Sequence, residues 1–152
     1  IKIGLSSTAT FIQSASSEIF SFFITYPSPL TLQMLANSDL IPFSFNLVGN
    51  SSFEGKEIMR KAVFYLFLRN DVNFVTLLEN GGMQFLCDNL QSWPSEIIPI
   101  YNCLLCRYPQ IVREILGQII DDLDEIIFSN NEINEDLQIS AQALKEDILR
   151  EE

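Results

Sequence analysis

The sequence has no histidine and only one tryptophan in 152 residues, with six glycines, six prolines and three cysteines. Without histidine it lacks the usual general base, the usual proton shuttle and the commonest metal ligand. Cys87, Cys103 and Cys106 are an odd, sparse set inside apolar stretches. That argues against a disulfide framework and reads as reduced core thiols of an intracellular protein. Positive charge is also scarce. Nine Lys and Arg stand against 20 Asp and Glu, for a net charge of −11, which opposes nucleic acid and anionic membranes as general partners. No apolar run approaches the ~18 residues needed to span a bilayer, and no secretory or twin-arginine signal marks the start. A soluble protein, cytoplasmic or nuclear, is the expectation. Because the chain opens on Ile1 with no initiator Met, it is expected to be a piece of something longer.

What is present suffices for a packed domain: 47% of residues are hydrophobic and 19% charged, so disorder is ruled out. The charge is unevenly placed. Residues 1–117 carry 9 acidic and 7 basic residues, net −2, whereas 118–152 carry 11 acidic and 2 basic, net −9. The acidity therefore belongs to the C-terminal segment, and the near-neutral body does not itself repel an acidic partner.

Apolar residues recur at helical spacing, and strand-like alternation bounded by hairpin turns is missing. A first helix is expected over roughly Thr8–Tyr26, ended by Pro27 and Pro29. Short helices at Leu30–Ala36 and Leu40–Leu47 flank a turn and N-cap at Asn37-Ser38-Asp39, and Val48 to Glu54 is expected as a loop. The pattern then restarts, with helices at Lys56–Asn70, Val72–Glu79, Met83–Gln91, Ile97–Tyr108, Gln110–Leu116 and Gln118–Phe128. After a loop at Ser129-Asn130-Asn131, a last helix from about Asn134 carries Leu137, Ala141, Leu144 and Ile148 as one stripe.

The strongest signal is an internal repeat near 40 residues. At an offset of 43, Leu35, Asn37, Leu40, Phe43 and Leu47 fall on Leu78, Asn80, Met83, Leu86 and Leu90; at 38, Ala62, Leu66, Leu68 and Arg69 fall on Ile100, Leu104, Cys106 and Arg107. The same offset of 38 sets Phe74, Leu77 and Leu78 on Val112, Ile115 and Leu116. Any helical bundle shows apolar residues at these spacings, so an unrelated bundle stays open as the alternative.

The run Leu78-Glu79-Asn80-Gly81-Gly82-Met83 through Leu90 resembles the armadillo repeat, in which a short first helix ends at a glycine before a second helix. Gly81 occupies the hinge position, where a bend favours a residue without a Cβ. The stretches 62–68, 100–106 and 140–146 occupy the third-helix slots, none ending on that family's Asn. The resemblance implies an all-α fold, a right-handed α-α superhelix of about three to four repeats. It is divided as a partial repeat at 1–29, repeats at 30–70 and 71–108, and an acidic capping repeat at 109–152. HEAT-type helical pairs stay open as a relative of that pattern.

Chemistry-bearing patterns are few. Cys103-Leu104-Leu105-Cys106 has CxxC spacing, with no second pair and no His to complete a zinc site. Asp121, Asp122, Asp124 and Glu125 lack the alternation and glycine of a calcium loop and read as a solvated helix face. Gly81-Gly82 has no phosphate-loop context, and no serine sits in a nucleophile elbow. Neither catalysis, cofactor nor metal is expected.

The resemblance implies that third helices line a concave groove, with groove positions at Ser21 and Thr25, Phe64 and Leu68, Asn102 and Cys106, and Gln142 and Glu146. The Trp and Asn ladders of nuclear import receptors are missing there. The expected function is a non-enzymatic scaffold or adaptor that binds another protein, as an extended peptide or helix, along that groove. Phe64 and Tyr101 are the expected aromatic anchors, with Leu68 and Asn102 beside them. Arg69 and Arg107, joined by Lys56, Arg60 and Lys61, would select a negatively charged ligand. The competing reading makes these scattered helix-end cations. The acidic end is expected to cap the array; the alternative is that segment 121–136 folds back on the basic patch as a competitor. The other functional alternative is a structural or homo-oligomerisation segment of a larger helical-repeat protein, packing through the helix of Phe11, Phe20 and Phe23.

Overall fold

The computed structural model describes the chain except residues 37, 51, 70–73, 130–133 and 151–152. Asn37, Ser51, Asn70, Val72, Asn130 and Asn131, placed above in turns, loops or helix ends, lie outside the described residues. Among those described, all regular structure is helical. No described helix is long and apolar enough to cross a membrane. The chain divides into two compact units, Ile1–Gly82 and Met83–Glu152.

The first unit holds α1 (Lys2–Leu5), α2 (Thr10–Thr25), α3 (Pro29–Ala36), α4 (Leu40–Val48), α5 (Lys56–Leu68) and α6 (Phe74–Leu77). The short α1 was not evident in the sequence, and α2 starts at Thr10 with Ala9 at its N-cap. Its end agrees with the two prolines, since neither Pro27 nor Pro29 can donate to the preceding turn. Burial at four-residue intervals joins the long helices: Phe20 and Ile24 of α2, and Met59, Val63 and Phe67 of α5, are inaccessible to solvent. Phe45 of α4 stacks on Phe67 with ring centroids 5.9 Å apart. Each such side chain contributes about 1.5–3 kcal/mol of transfer free energy relative to exposure.

Three contacts give the relative direction of α2 and α5. The Glu54 N–H donates to Gln13 Oε1 at 3.1 Å. Gly55 lies so close to Ser17 that a Cβ would stand 2.7 Å from the serine Cβ. At the other end, Arg69 Nη1 donates to the carbonyls of Ile24 and Thr25 at 2.9 and 3.4 Å. The start of α5 meets the start of α2 and the ends meet likewise, so the two helices are parallel. The close approach at residue 55 is open only to glycine.

Asp39 takes the N-cap position of α4, but its side chain does not cap. The carboxylate pairs with Lys2 instead, while Ser38 Oγ accepts from the Leu40 N–H at 3.3 Å. The hydrogen bond and charge of Lys2 hold the Asp39 carboxyl below its ordinary value. The Asp39 side chain thus takes a charge partner from α1 in place of a capping bond. At the end of the unit, helical dihedrals break at Gly81, whose φ of +90° is the only positive value among the described residues.

The second unit holds α7 (Met83–Asn89), α8 (Pro94–Arg107), α9 (Pro109–Leu116), a 3-10 turn (Gly117–Ile119), α10 (Ile120–Ile127) and α11 (Glu135–Leu149). Helix α8 begins three residues before the sequence reading placed it, because Pro94 is a favourable first helical residue. Its buried residues are Ile97, Ile98, Ile100, Tyr101 and Leu104, the spacing of an amphipathic helix. Against α8 and α10 packs α11, with Ala141, Leu144 and Ile148 buried and Asn134 Oδ1 accepting from the Asp136 N–H.

The carboxylates of α10 do more than face water. Asp124 meets Lys145 of α11 at 2.5 Å, and Gln91 Nε2 donates to Asp122 and Glu125 at 2.9 and 2.6 Å. Of the cysteines, Cys87 and Cys103 are half-buried and Cys106 is exposed, which corrects the expectation of three core thiols. Residue 106 lies about 200° around the helix from Leu104 and therefore points away from the buried face.

The two units repeat one burial register. At the offset of 38 residues, Met59 and Ile97, Ala62 and Ile100, Val63 and Tyr101, and Leu66 and Leu104 are buried in both. Lys61 and Pro99, and Leu68 and Cys106, are exposed in both. The expected repeat at 71–108 spans the division between units, whereas 30–70 lies within the first.

Candidate protein-binding surface

The expected aromatic anchors are not available to a ligand. Phe64 is 6% exposed and Tyr101 fully buried, because the burial register of the long helices turns these positions inward. The Tyr101 hydroxyl donates to Cys87 Sγ at 3.5 Å. Burial, with the Cys87 interaction, pushes the Tyr101 phenol well above its ordinary value. Burial likewise raises the Cys87 thiol, partly offset by the Tyr101 hydrogen bond. Both groups stay protonated at neutral pH and serve packing.

Four of the expected cations, Lys56, Arg60, Lys61 and Arg69, lie in the first unit. Arg69 is committed to the C-terminal carbonyls of α2, where a helix has unsatisfied acceptors and a partial negative charge. Its guanidinium also lies 5.7 Å from the Tyr65 ring centroid. Arg60 Nη2 meets Glu57 one turn away at 2.6 Å, and Lys61 is exposed. Arg107 is half-buried in the last turn of α8. The helix-end reading of Arg69 is thus the one its geometry supports. Three carboxylates of segment 121–136 are likewise engaged within the second unit, by Gln91 and Lys145.

Of the remaining positions, Leu68 is exposed at the end of α5, while Ser21 and Thr25 are half-buried and joined within α2 by a hydroxyl-to-carbonyl bond. Asn102 is different. It lines a cleft of about 420 Å³ whose walls are Ser95, Ile98, Pro99 and Asn102 of α8 and Leu137 and Ser140 of α11, with Asn134 and Asp136 at the start of α11. The N-terminal halves of α8 and α11 therefore lie side by side along this cleft. Ile98 and Leu137 provide apolar wall. Because Pro99 has no N–H, the Ser95 carbonyl lacks its helical donor. The cleft thus combines a backbone acceptor, the Asn102 and Asn134 amides and the Ser140 hydroxyl, with Asp136 its one charged residue.

The sequence reading found Asn102 but missed the other residues of the cleft. It took Gln142 and Glu146 as the α11 partners, both exposed, whereas the cleft uses residues one to two turns earlier. The signal was Pro94: as a helix-starting proline it places Ser95 and Pro99 in the opening turns of α8. Among the described residues, no group of three or more Cys, Asp or Glu side chains is arranged to hold a metal ion. No protein-family profile, curated protein or solved structure matches the chain.

Proposed function

We propose that this chain is a protein-binding segment of an armadillo-like α-solenoid, a non-enzymatic scaffold or adaptor that takes an extended peptide between successive long helices. The observation that carries the reading is the cleft between the N-terminal halves of α8 and α11. Support for the solenoid comes from two sources: the 38-residue burial register of α5 and α8, and a side-by-side pairing of long helices that recurs in each unit. Three free thiols fit an intracellular setting.

The cleft chemistry revises the expected ligand. Amides, a hydroxyl and a backbone carbonyl without its i+4 donor suit the donors and acceptors of an extended main chain, and the apolar wall suits an aliphatic side chain. Asp136 and the acidic C-terminal segment disfavour an acidic peptide and favour a neutral or basic one. Asn102 is assigned the central contact, as an amide that can both donate and accept.

Selection from a random-peptide display library tests this. The wild-type chain should enrich neutral or basic peptides, and Asn102→Arg, which fills the cleft from a half-buried position, should lose them while keeping its circular dichroism. Enriched peptides that bind Asn102→Arg equally well would remove the cleft assignment.

A further inference from the structure

The outward side of α2 carries an apolar ridge that no described residue covers. Phe11, Ala15, Ile19, Phe22 and Tyr26 recur at helical spacing, and Phe11, Ile19, Phe22 and Tyr26 are 74, 49, 59 and 70% exposed. Phe22 and Tyr26 already face each other at 5.4 Å between ring centroids. Glu18 is the single charged residue of α2.

We infer that this ridge is a two-fold interface, and that its occupant is α2 of a second copy of the chain, running antiparallel. The first argument is area. At roughly 150–250 Å² for a large side chain, the exposed parts of the four ridge residues come to about 380–630 Å². Two copies together bring about 760–1,260 Å², around the ~1,000 Å² a specific interface needs, and one copy alone reaches the top of the ~300–600 Å² range for the largest patch on a monomer.

The second argument is self-complementarity, which a two-fold contact requires and an unrelated partner does not. With the axis passing between Glu18 and Ile19, Phe11 meets Tyr26 of the copy, Ala15 meets Phe22, and Ile19 packs at the centre. The one small residue of the ridge thus lies opposite a large aromatic ring, a knob facing a hole. The cost is electrostatic. Two chains of net charge −11 repel, and the two Glu18 carboxylates flank the axis, so screening by salt should tighten the contact.

Sedimentation velocity of the full chain from about 1 to 200 μM reads the result. The wild type should pass from 17.3 kDa to twice that mass, more readily at high salt. Phe22→Asp should weaken the dimer at least about thirty-fold. Ala15→Phe keeps the ridge apolar but fills the hole, and should weaken it too. Phe128→Asp, at an apolar residue equally exposed in the second unit, should change nothing. All three sites are exposed, and circular dichroism checks that the fold is retained. A monomer at every concentration overturns the inference, as does association that Ala15→Phe leaves intact, that Phe128→Asp abolishes, or that salt dissolves.

Discussion

Helices α2 and α11 are packed alike on one side and finished oppositely on the other. Each lies alongside another long helix and buries residues spaced three or four apart, Phe20 and Ile24 in α2, and Ala141, Leu144 and Ile148 in α11. On its outward side α2 shows aromatic and aliphatic side chains with one carboxylate, whereas α11 shows Glu135, Asp136, Gln142, Glu146 and Asp147 around two exposed aliphatic residues, Ile139 and Leu149. Burial of one stripe is enough to hold a helix in a unit, so the opposite stripe is free to specify water or a partner. A largely charged and amide-bearing face suits water. An apolar finish does not, and it is the feature from which the two-fold contact of α2 was inferred.

The parallel pairing of long helices, the basis of that comparison, is most exposed to test at Gly55. Gly55→Ala should destabilise the first unit by about 1–3 kcal/mol, because the added carbon must push Ser17 and with it the start of α2. Urea unfolding followed by circular dichroism measures it, and a neutral effect would mean that α2 and α5 do not approach closely at that end. The opposite end is tested by Arg69→Met, which keeps much of the side-chain volume and removes the bonds to the Ile24 and Thr25 carbonyls. A loss of about 1–2 kcal/mol is expected; no loss would return Arg69 to the pool of ligand-binding cations.

The second unit has its own test in pH. Tyr101 and Cys87 are raised above their ordinary values in the fold, so the unfolded chain releases these protons first. Their contribution is complete below the unfolded value of each, 9.0 for the thiol and 10.0 for the phenol, and is lost as pH rises beyond them. Trp93, the single tryptophan, sits at the N-cap position of α8 in the same unit and supplies the signal. Its urea midpoint should fall between pH 8 and about 10.5, and Tyr101→Phe should flatten part of that fall.

Most helices could be read from the sequence because they depend on local signals: prolines at 27, 29 and 109 that end or start elements, Gly81 with its positive φ, and apolar residues at helical spacing. The misses share one cause. Helix α1 is four residues long and exists through its packing on α2 and the pairing of Lys2 with Asp39, none of which leaves a local trace. The site was less legible still. Aromatic residues at positions 64 and 101 fit an anchor and a core equally well, and a repeat alignment does not say which side of a helix is covered.

Composition and periodicity by themselves determined that the chain is helical, that it lacks histidine chemistry, that its acidity is concentrated at one end and that a 38-residue register relates α5 to α8. Those properties are carried by residue type and spacing alone. Only the tertiary structure decided that Arg69 serves α2, that Tyr101 is interior, that Asn102 opens onto a cleft and that the ridge of α2 is uncovered. Each of these depends on which neighbour occupies the space beside a side chain, and those neighbours are brought in from up to 45 residues away along the chain.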